Sequence, residues 1–434
     1  MLTRLDLRGA GGDLRARLPR PPAPGPGPVA AVREILAAVA ARGDAALREY
    51  TERFDGVAVD DLRVPPADLV AALEATPPAL RRALEESRDA IAAFHRGQVR
   101  VDSRHEREGV VVRELRRPVD RAGLYVPGGR ARYPSTVLMT AVPARVAGVA
   151  EVVLCVPPER DGRVAQVTLA AAALAEVDEV YRCGGAQAVG AMAYGTETIR
   201  PTDVIVGPGN VYVSLAKREV ASSGLVGIPS GYAGPSEVVV VADEATPVGV
   251  AALDVIVQAE HGPDGLAWLI TWSEAVADAV ADEVARLVAG SPRRADLEST
   301  LAGGGFAALV DGPEQAVAVA NAIAPEHLQL MCEGAEGLLP LVRNAGAVFC
   351  GLAAPAAVGD YLAGPSHVLP TAGSARFSSG LRVDDFVRTL HAVTLDDAAL
   401  ARVAPHVVAI AEAEGLAAHA ESVAARGALA AHPS

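Results

Sequence analysis

From about residue 109 to residue 350, short runs of β-branched and aliphatic residues alternate with longer stretches at helical spacing. No other feature of the chain limits its possible folds as tightly. The strand candidates are 122–126, 151–156, 178–182, 203–206, 236–242, 266–271, 307–310, 328–331 and 346–350, and Val110 to Leu115 is β-like ahead of them. Helical runs of roughly ten or more residues separate most of them. Strands joined through helices run parallel, so the expected class is α/β with parallel sheets. Two blocks stand out, at about 116–235 and 236–350. They suit two incomplete Rossmann-like lobes, with a ligand cleft at the C-terminal ends of the strands.

The remaining segments are read around those lobes. Residues 19–28 are rich in Pro and Gly, so residues 1–28 read as an extended arm. Residues 29–96 are helical by pattern, with Val32, Ile35, Leu36 and Val39 on one stripe and Leu80, Leu84, Ile91 and Phe94 on another. They need a sheet to pack on. The expectation groups 29–115 with 236–380 as a metal and catalytic lobe, with a cofactor lobe of 116–235 inserted in it. Residues 351–392 show no clear period, and a long irregular loop in an enzyme is usually functional. Residues 395–426 return to a helical pattern, and 381–434 reads as a C-terminal helical tail for dimerisation.

Composition narrows the function. The chain has 434 residues and a net charge of −14, which offers no basic surface for a nucleic acid. It has no uncharged apolar run of membrane-spanning length. The start, Met1 to Asp6, lacks the apolar core of a signal peptide, so the expected location is cytoplasmic. The cysteines Cys155, Cys183, Cys332 and Cys350 form no C-x-x-C pair, which argues against a thiolate zinc site or a redox dithiol.

Several stretches could carry chemistry. Gln258 and His261 stand three apart at the end of an apolar run, Val248 to Val257, that Gly262 and Pro263 would stop. On a helix they would share a face and could converge on one cation; the bland alternative is a solvated helix end. Glycine-rich turns follow three strand candidates: Pro127-Gly128-Gly129 after Tyr125, Gly184-Gly185-Ala186 before Gln187, and Gly207-Pro208-Gly209-Asn210. Such turns let backbone approach a phosphate, although neither G-x-G-x-x-G nor a Walker A motif is present. Glu326-His327 pairs an acid with an imidazole at a helix-to-strand junction, suited to proton transfer or else a chance surface pair. Asp360 and His367 sit among the glycines of the irregular loop. Glu414 and His419 are placed on the last helix. Gln258, His261, Asp360 and His419 together are oxygen and nitrogen donors, a set that suits zinc or a neighbouring divalent metal.

The motifs resemble those of the histidinol dehydrogenases over nearly the whole chain. They are Gly123-Leu124-Tyr125-Val126-Pro127-Gly128-Gly129, Gly184 to Ala188, Gly207 to Asn210, Ala233 to Val238, Gln258 to Asp264, Pro325 to Leu328 and Gly359 to Thr371, in that order. The resemblance implies that Gln258, His261, Asp360 and His419 bind one Zn2+ per subunit, and that Glu326 and His327 are the acid–base pair. It implies that Tyr125, Gln187 and Asn210 contact NAD+. Ser236, His327, His367 and Glu414, with the metal ligands, would contact substrate. The implied partner is a second copy of the chain, a homodimer across which His419 and Glu414 are lent. The implied reaction is the four-electron oxidation of L-histidinol to L-histidine through the aldehyde with two NAD+. The stretch Ile228-Pro229-Ser230-Gly231-Tyr232 departs from the family pattern, as do Ser366 and Ala354 to Ala357. Rival readings are a related NAD/zinc dehydrogenase acting on another alcohol, such as a sulfonated diol, and a zinc hydrolase.

Overall fold

The computed structural model describes residues 1–434 except 20–25, 130, 230–233, 235, 262–264 and 431–434, and at 26, 261 and 427–430 it describes the backbone alone. The departing loop at 230–232 and the helix stop at Gly262 and Pro263 therefore lie outside the described residues. The chain forms two compact units, residues 1–98 with 119–386, and residues 99–118 with 387–434.

The strands in chain order are β1 (Thr3–Asp6), β2 (Ser103–Arg107), β3 (Val110–Pro118), β4 (Arg121–Tyr125), β5 (Glu151–Val156), β6 (Glu179–Arg182), β7 (Val204–Val206), β8 (Glu237–Val241), β9 (Leu266–Thr271), β10 (Gly305–Leu309), β11 (His327–Leu330), β12 (Ala347–Cys350) and β13 (Val387–Leu395). Each of the nine strand candidates is present with ends within two residues of expectation. In the larger unit they form two wholly parallel sheets, β6-β5-β4-β7 and β1-β10-β9-β8-β11-β12. In each sheet three successive strands step one way and the next crosses back beside the first. The reversal creates a switch point between β4 and β7, and another between β8 and β11. The α/β class with parallel sheets is the fold observed.

The four-stranded sheet is buried on both faces. Leu124, Val152 and Leu154 meet Leu69, Leu84, Ile91, Val137 and Leu138 on one side. Tyr125, Val153, Cys155 and Tyr181 meet Val32, Leu36, Leu47, Val189 and Met192 on the other. This corrects the expected grouping: the helices of 26–96 cover the four-stranded sheet, and Pro78–Arg96 also meets residues 361–368, with Ser87 Oγ donating to Tyr361 O at 2.5 Å. The physical reason is area. The sheet's own crossover helices are short, and the leading helices bring the apolar stripes that complete both layers. Val239, Val241, Ile270 and Leu328 pack against Leu7, Val317 and Ala320, while Val238, Val240 and Leu269 pack against Val255, Val280 and Val284. The first residues are not a free arm, because β1 pairs with β10 and caps the edge of the six-stranded sheet. No described helix is long and apolar enough to cross a membrane.

The smaller unit is a three-stranded antiparallel sheet, β13-β3-β2, with the helices Asp397–Ala413 and Ala417–Ala430. β3 and β13 pair from Val110↔Leu395 to Pro118↔Val387, so residues 99–118 belong with 387–434 and the tail is not helical throughout. Gly415, at φ +74°, ends the first of the two helices, so Glu414 and His419 do not share one helix as expected.

Candidate active site

Three glycine turns meet at the C-terminal edge of the four-stranded sheet, as the sequence suggested. A Cβ on Gly128 would lie 2.8 Å from Pro157 Cγ, and one on Gly184 would lie 2.6 Å from Pro157 Cβ, so neither tolerates a side chain. Gly207 is held at φ +111°, with Tyr125 O only 2.1 Å from where its Cβ would stand. Gly207→Ala is therefore expected to cost about 2–4 kcal/mol, from strain and overlap together. Urea denaturation measures this, and a loss under 0.5 kcal/mol (about the noise of a surface change) would contradict the close approach. Lys217 pins the same turn by donating to Gly207 O at 2.7 Å.

The three residues expected at the cofactor gather at this edge. Tyr125 ends β4, is buried, and its hydroxyl accepts the Gly185 N–H at 3.1 Å. Burial pushes the phenol's titration up, so it keeps its proton and can donate it. Gln187 lies in the helix Gly185–Tyr194 and is buried. Neither its Oε1 nor its Nε2 has a hydrogen-bond partner among the described residues. A buried amide left unmatched at both ends is costly. Asn210 caps the helix Val211–Ala221, with Oδ1 accepting from Tyr212 N and Val213 N.

The second cluster lies at the opposite kind of edge. Glu237 opens β8 and His327 opens β11, so these groups stand at the N-terminal ends of the strands, where the Rossmann rule had suggested C-terminal ends. The helix Pro313–Ile323 ends at Ala324 in a left-handed conformation, and Pro325-Glu326 leads straight into β11. Glu326 is buried, and its Oε2 accepts the Glu237 N–H at 2.8 Å. His327 is buried over Phe349, with ring centroids 5.9 Å apart. Its Nδ1 lies 3.0 Å from Glu237 O. A carbonyl only accepts, so Nδ1 carries a proton and the neutral ring would keep its lone pair on Nε2. That Nε2 has no hydrogen-bond partner among the described residues, and Asp360 Oδ1 is 3.4 Å away. Burial pushes the imidazole down, but the Glu326 and Asp360 carboxylates outweigh it and raise it to about 10.

Asp360 sits in the helix Ala356–Tyr361. Burial would raise its carboxyl, but His327 outweighs that and keeps it ionised. Its Oδ2 accepts from Gln258 Nε2 at 3.0 Å, and its backbone oxygen accepts from His367 Nδ1 at 3.0 Å. His367 is tied at its other nitrogen to Thr136 Oγ1 at 3.1 Å. Gln258 is buried, but not on an α-helix as expected. The helix Val248–Ile256 stops first, Gln258 lies in a turn, and Ala259–His261 is a 3-10 turn. Ala259 is buried in the core beside Val255 and Ile256, so packing sets the turn. The side chain of His261 lies outside the described residues. Ser236 precedes β8, and its carbonyl accepts from Leu266 N at 3.2 Å.

The larger unit thus assembles Gln258, Glu326, His327, Asp360 and His367. Glu414 and His419 belong to the smaller unit and are exposed there. Among the described residues no group of three or more His, Cys, Asp or Glu is placed to hold a metal ion. Gln258 and Asp360 nevertheless present a carboxamide and an ionised carboxylate side by side, hard oxygen donors that fit a divalent cation.

The sequence reading passed over Glu237, Thr136 and Phe349. Glu237 is buried; its Oε1 accepts from Ala372 N at 2.8 Å, and its Oε2 has no partner among the described residues. Ala372 holds φ +54°, unusual for a non-glycine residue and a sign that its N–H is deliberately aimed. An acid opening a strand of four valines was the available signal.

Comparison with known proteins covers nearly the whole chain. A family model described as histidinol dehydrogenase matches residues 27–427. The histidinol dehydrogenase of a Synechococcus species is 49% identical over 397 residues, covering 91% of each chain. That of Moorella thermoacetica is 48% identical over 401 residues, covering 92% of this chain and 94% of its own. The crystal structure of histidinol dehydrogenase from Elizabethkingia anophelis superposes with a TM-score of 0.91 at 33% identity, covering 98% of both chains. The chain belongs to the histidinol dehydrogenase family.

Proposed function

We propose that this chain oxidises L-histidinol to L-histidine through the aldehyde, in two hydride transfers to NAD+ at one site. The observation that carries this is His327: a buried imidazole fixed through Nδ1, its Nε2 without a hydrogen-bond partner among the described residues and 3.4 Å from Asp360, with Glu326 alongside. When bound, NAD+ would accept hydride at each stage, and zinc would hold the substrate's nitrogen donors and offset the charge of Asp360. Gln258, His261 and Asp360 would hold the metal, together with His419 of the partner subunit.

The chain's own groups then divide the work. With the charge of Asp360 offset, one of the two carboxylates that hold His327 protonated is neutralised, and in its neutral form the ring takes the alcohol proton at Nε2 in the first stage. Glu326, held by the Glu237 N–H, draws a proton from the water that adds to the aldehyde. Tyr125, Gln187 and Asn210 face the dinucleotide at the other cluster. Ser236 and His367, with Glu414 lent by the partner, complete the substrate contacts. Thr136, bonded to His367, links the cofactor lobe to Asp360. The smaller unit exposes Leu390, Val393, Val407 and Ile410, an apolar surface that supports a homodimer. A cytoplasmic location fits a biosynthetic role, the closing step of histidine formation.

Purified protein should form two NADH for each histidine made from histidinol, and chelation should abolish turnover. One NADH per product, or turnover with a sulfonated diol in place of histidinol, would overturn the assignment. Hydrolysis without NADH formation would favour the hydrolase reading instead.

A further inference from the structure

Asp55 is a carboxylate that the fold leaves uncompensated. It is the last residue of the helix Asp44–Asp55, and Gly56 caps that helix in a left-handed conformation. A negative charge at a helix C-terminus meets the negative end of the dipole. Burial alone raises Asp55 to about 6, with no cation or donor set against it. Its Oδ2 is shielded from solvent and has no hydrogen-bond partner among the described residues. A buried carboxylate oxygen without a donor is unfavourable, and nothing described in the fold offsets it.

Its surroundings indicate what would. Its helix starts with Asp44 bonded to Thr198 N at 3.3 Å, past the far end of the helix Gly185–Tyr194, and packs Leu47 and Tyr50 with Tyr125 and Cys183. Val57 just beyond it lies 3.6 Å from where a Cβ on Gly162 would stand, in the loop after β5, so Asp55 lies toward the glycine-turn edge of the four-stranded sheet. The unmatched carboxamide of Gln187 is at the same edge, two residues beyond the Gly185 N–H that Tyr125 accepts. An acceptor-only carboxylate beside a phenol donor and an open carboxamide matches a vicinal diol flanked by polar groups.

The faces of the sheet say which diol. The helix Pro134–Ala147, which carries Thr136, packs on the face with Leu84 and Ile91. Thr136 leads through His367 to Asp360, so the reacting end of a dinucleotide belongs on that side. The helix of Asp55 packs on the opposite face, with Leu47 and Tyr50. We propose that Asp55 accepts the hydroxyls of the adenine-side ribose of the dinucleotide and so selects NAD+ over its 2′-phosphorylated form. The inference rests on the dinucleotide reading above. An acid on the ribose hydroxyls repels a 2′-phosphate, the usual basis of that choice.

The test is calorimetric, on the full chain without histidinol. NAD+, ADP-ribose, nicotinamide mononucleotide and NADP+ are titrated into wild type, Asp55→Ala and Asp55→Asn. Loss of charged hydrogen bonds should weaken NAD+ and ADP-ribose about tenfold or more in Asp55→Ala. Nicotinamide mononucleotide should bind unchanged. Asp55→Asn should narrow the gap between NAD+ and NADP+. The melting temperature of the free variants should hold or rise, because Oδ2 has no hydrogen bond among the described residues to lose, which separates a binding role from a structural one. Unchanged NAD+ affinity in a folded Asp55→Ala, with wild type binding NAD+, would overturn the role of Asp55 alone. Wild type that binds neither NAD+ nor ADP-ribose would overturn the dinucleotide reading itself.

Discussion

His327→Asn is expected to lower kcat by about 10²–10⁴-fold, the usual worth of a positioned general base. Asparagine is the informative replacement because its Nδ2 stands where the ring's Nδ1 stood. The bond to Glu237 O, 3.0 Å in the native protein, can survive, so the backbone entering β11 keeps its anchor. What disappears is Nε2, the atom without a hydrogen-bond partner that lies 3.4 Å from Asp360. Dinucleotide affinity should not move, because Tyr125, Gln187 and Asn210 lie on the other sheet. Steady-state kinetics with histidinol and NAD+ binding by titration separate the two quantities. A kcat within about threefold of wild type (under ~0.7 kcal/mol of barrier) would remove His327 from the chemistry and leave Glu326 as the only candidate base. A fall in kcat accompanied by an equal fall in NAD+ affinity would show that the ring serves structure and not proton transfer.

The parallel strands were legible because they are buried on both faces. Val152 to Val156 and Val238 to Val241 are unbroken apolar runs between turn signals, and such runs have few other places to go. β2 and β13 were not legible, since Ser103–Arg107 is exposed throughout and Val387–Leu395 nearly so. Their pairing comes from β3 and not from a hydrophobic pattern of their own. The site residues were named from motifs, but their placement was not foreseen. A Rossmann sheet suggests C-terminal strand ends, which holds for Tyr125 and Gly207. It fails for Glu326 and His327, because there the helix-to-strand junctions at Ala324 and Gln258 supply the groups. Glu237 escaped notice because a charged residue directly before Val238 to Val241 reads as a strand boundary, when it is in fact a buried acid facing a partner carboxylate.

That acid provides a pH-dependent test of the site. Burial, with the adjacent Glu326 charge, raises Glu237 from 4.5 to about 8. The sign follows from linkage. In the unfolded chain the group ionises near 4.5, whereas in the folded protein it holds its proton up to about 8. Its contribution to stability is therefore intact below about 4.5, declines as pH rises through that window, and is fully lost above about 8. At about 1.4 kcal/mol per unit the loss could reach ~5 kcal/mol. Glu237→Gln does not titrate, yet its amide oxygen can still accept the Ala372 N–H that Oε1 accepts at 2.8 Å. The variant should match wild type near pH 5 and exceed it by a few kcal/mol at pH 8.5. Urea denaturation of metal-free protein across that range measures the difference. A gap that does not change with pH would mean that Glu237 is already ionised at neutral pH. In that case Glu326 would work beside a second negative charge during water activation.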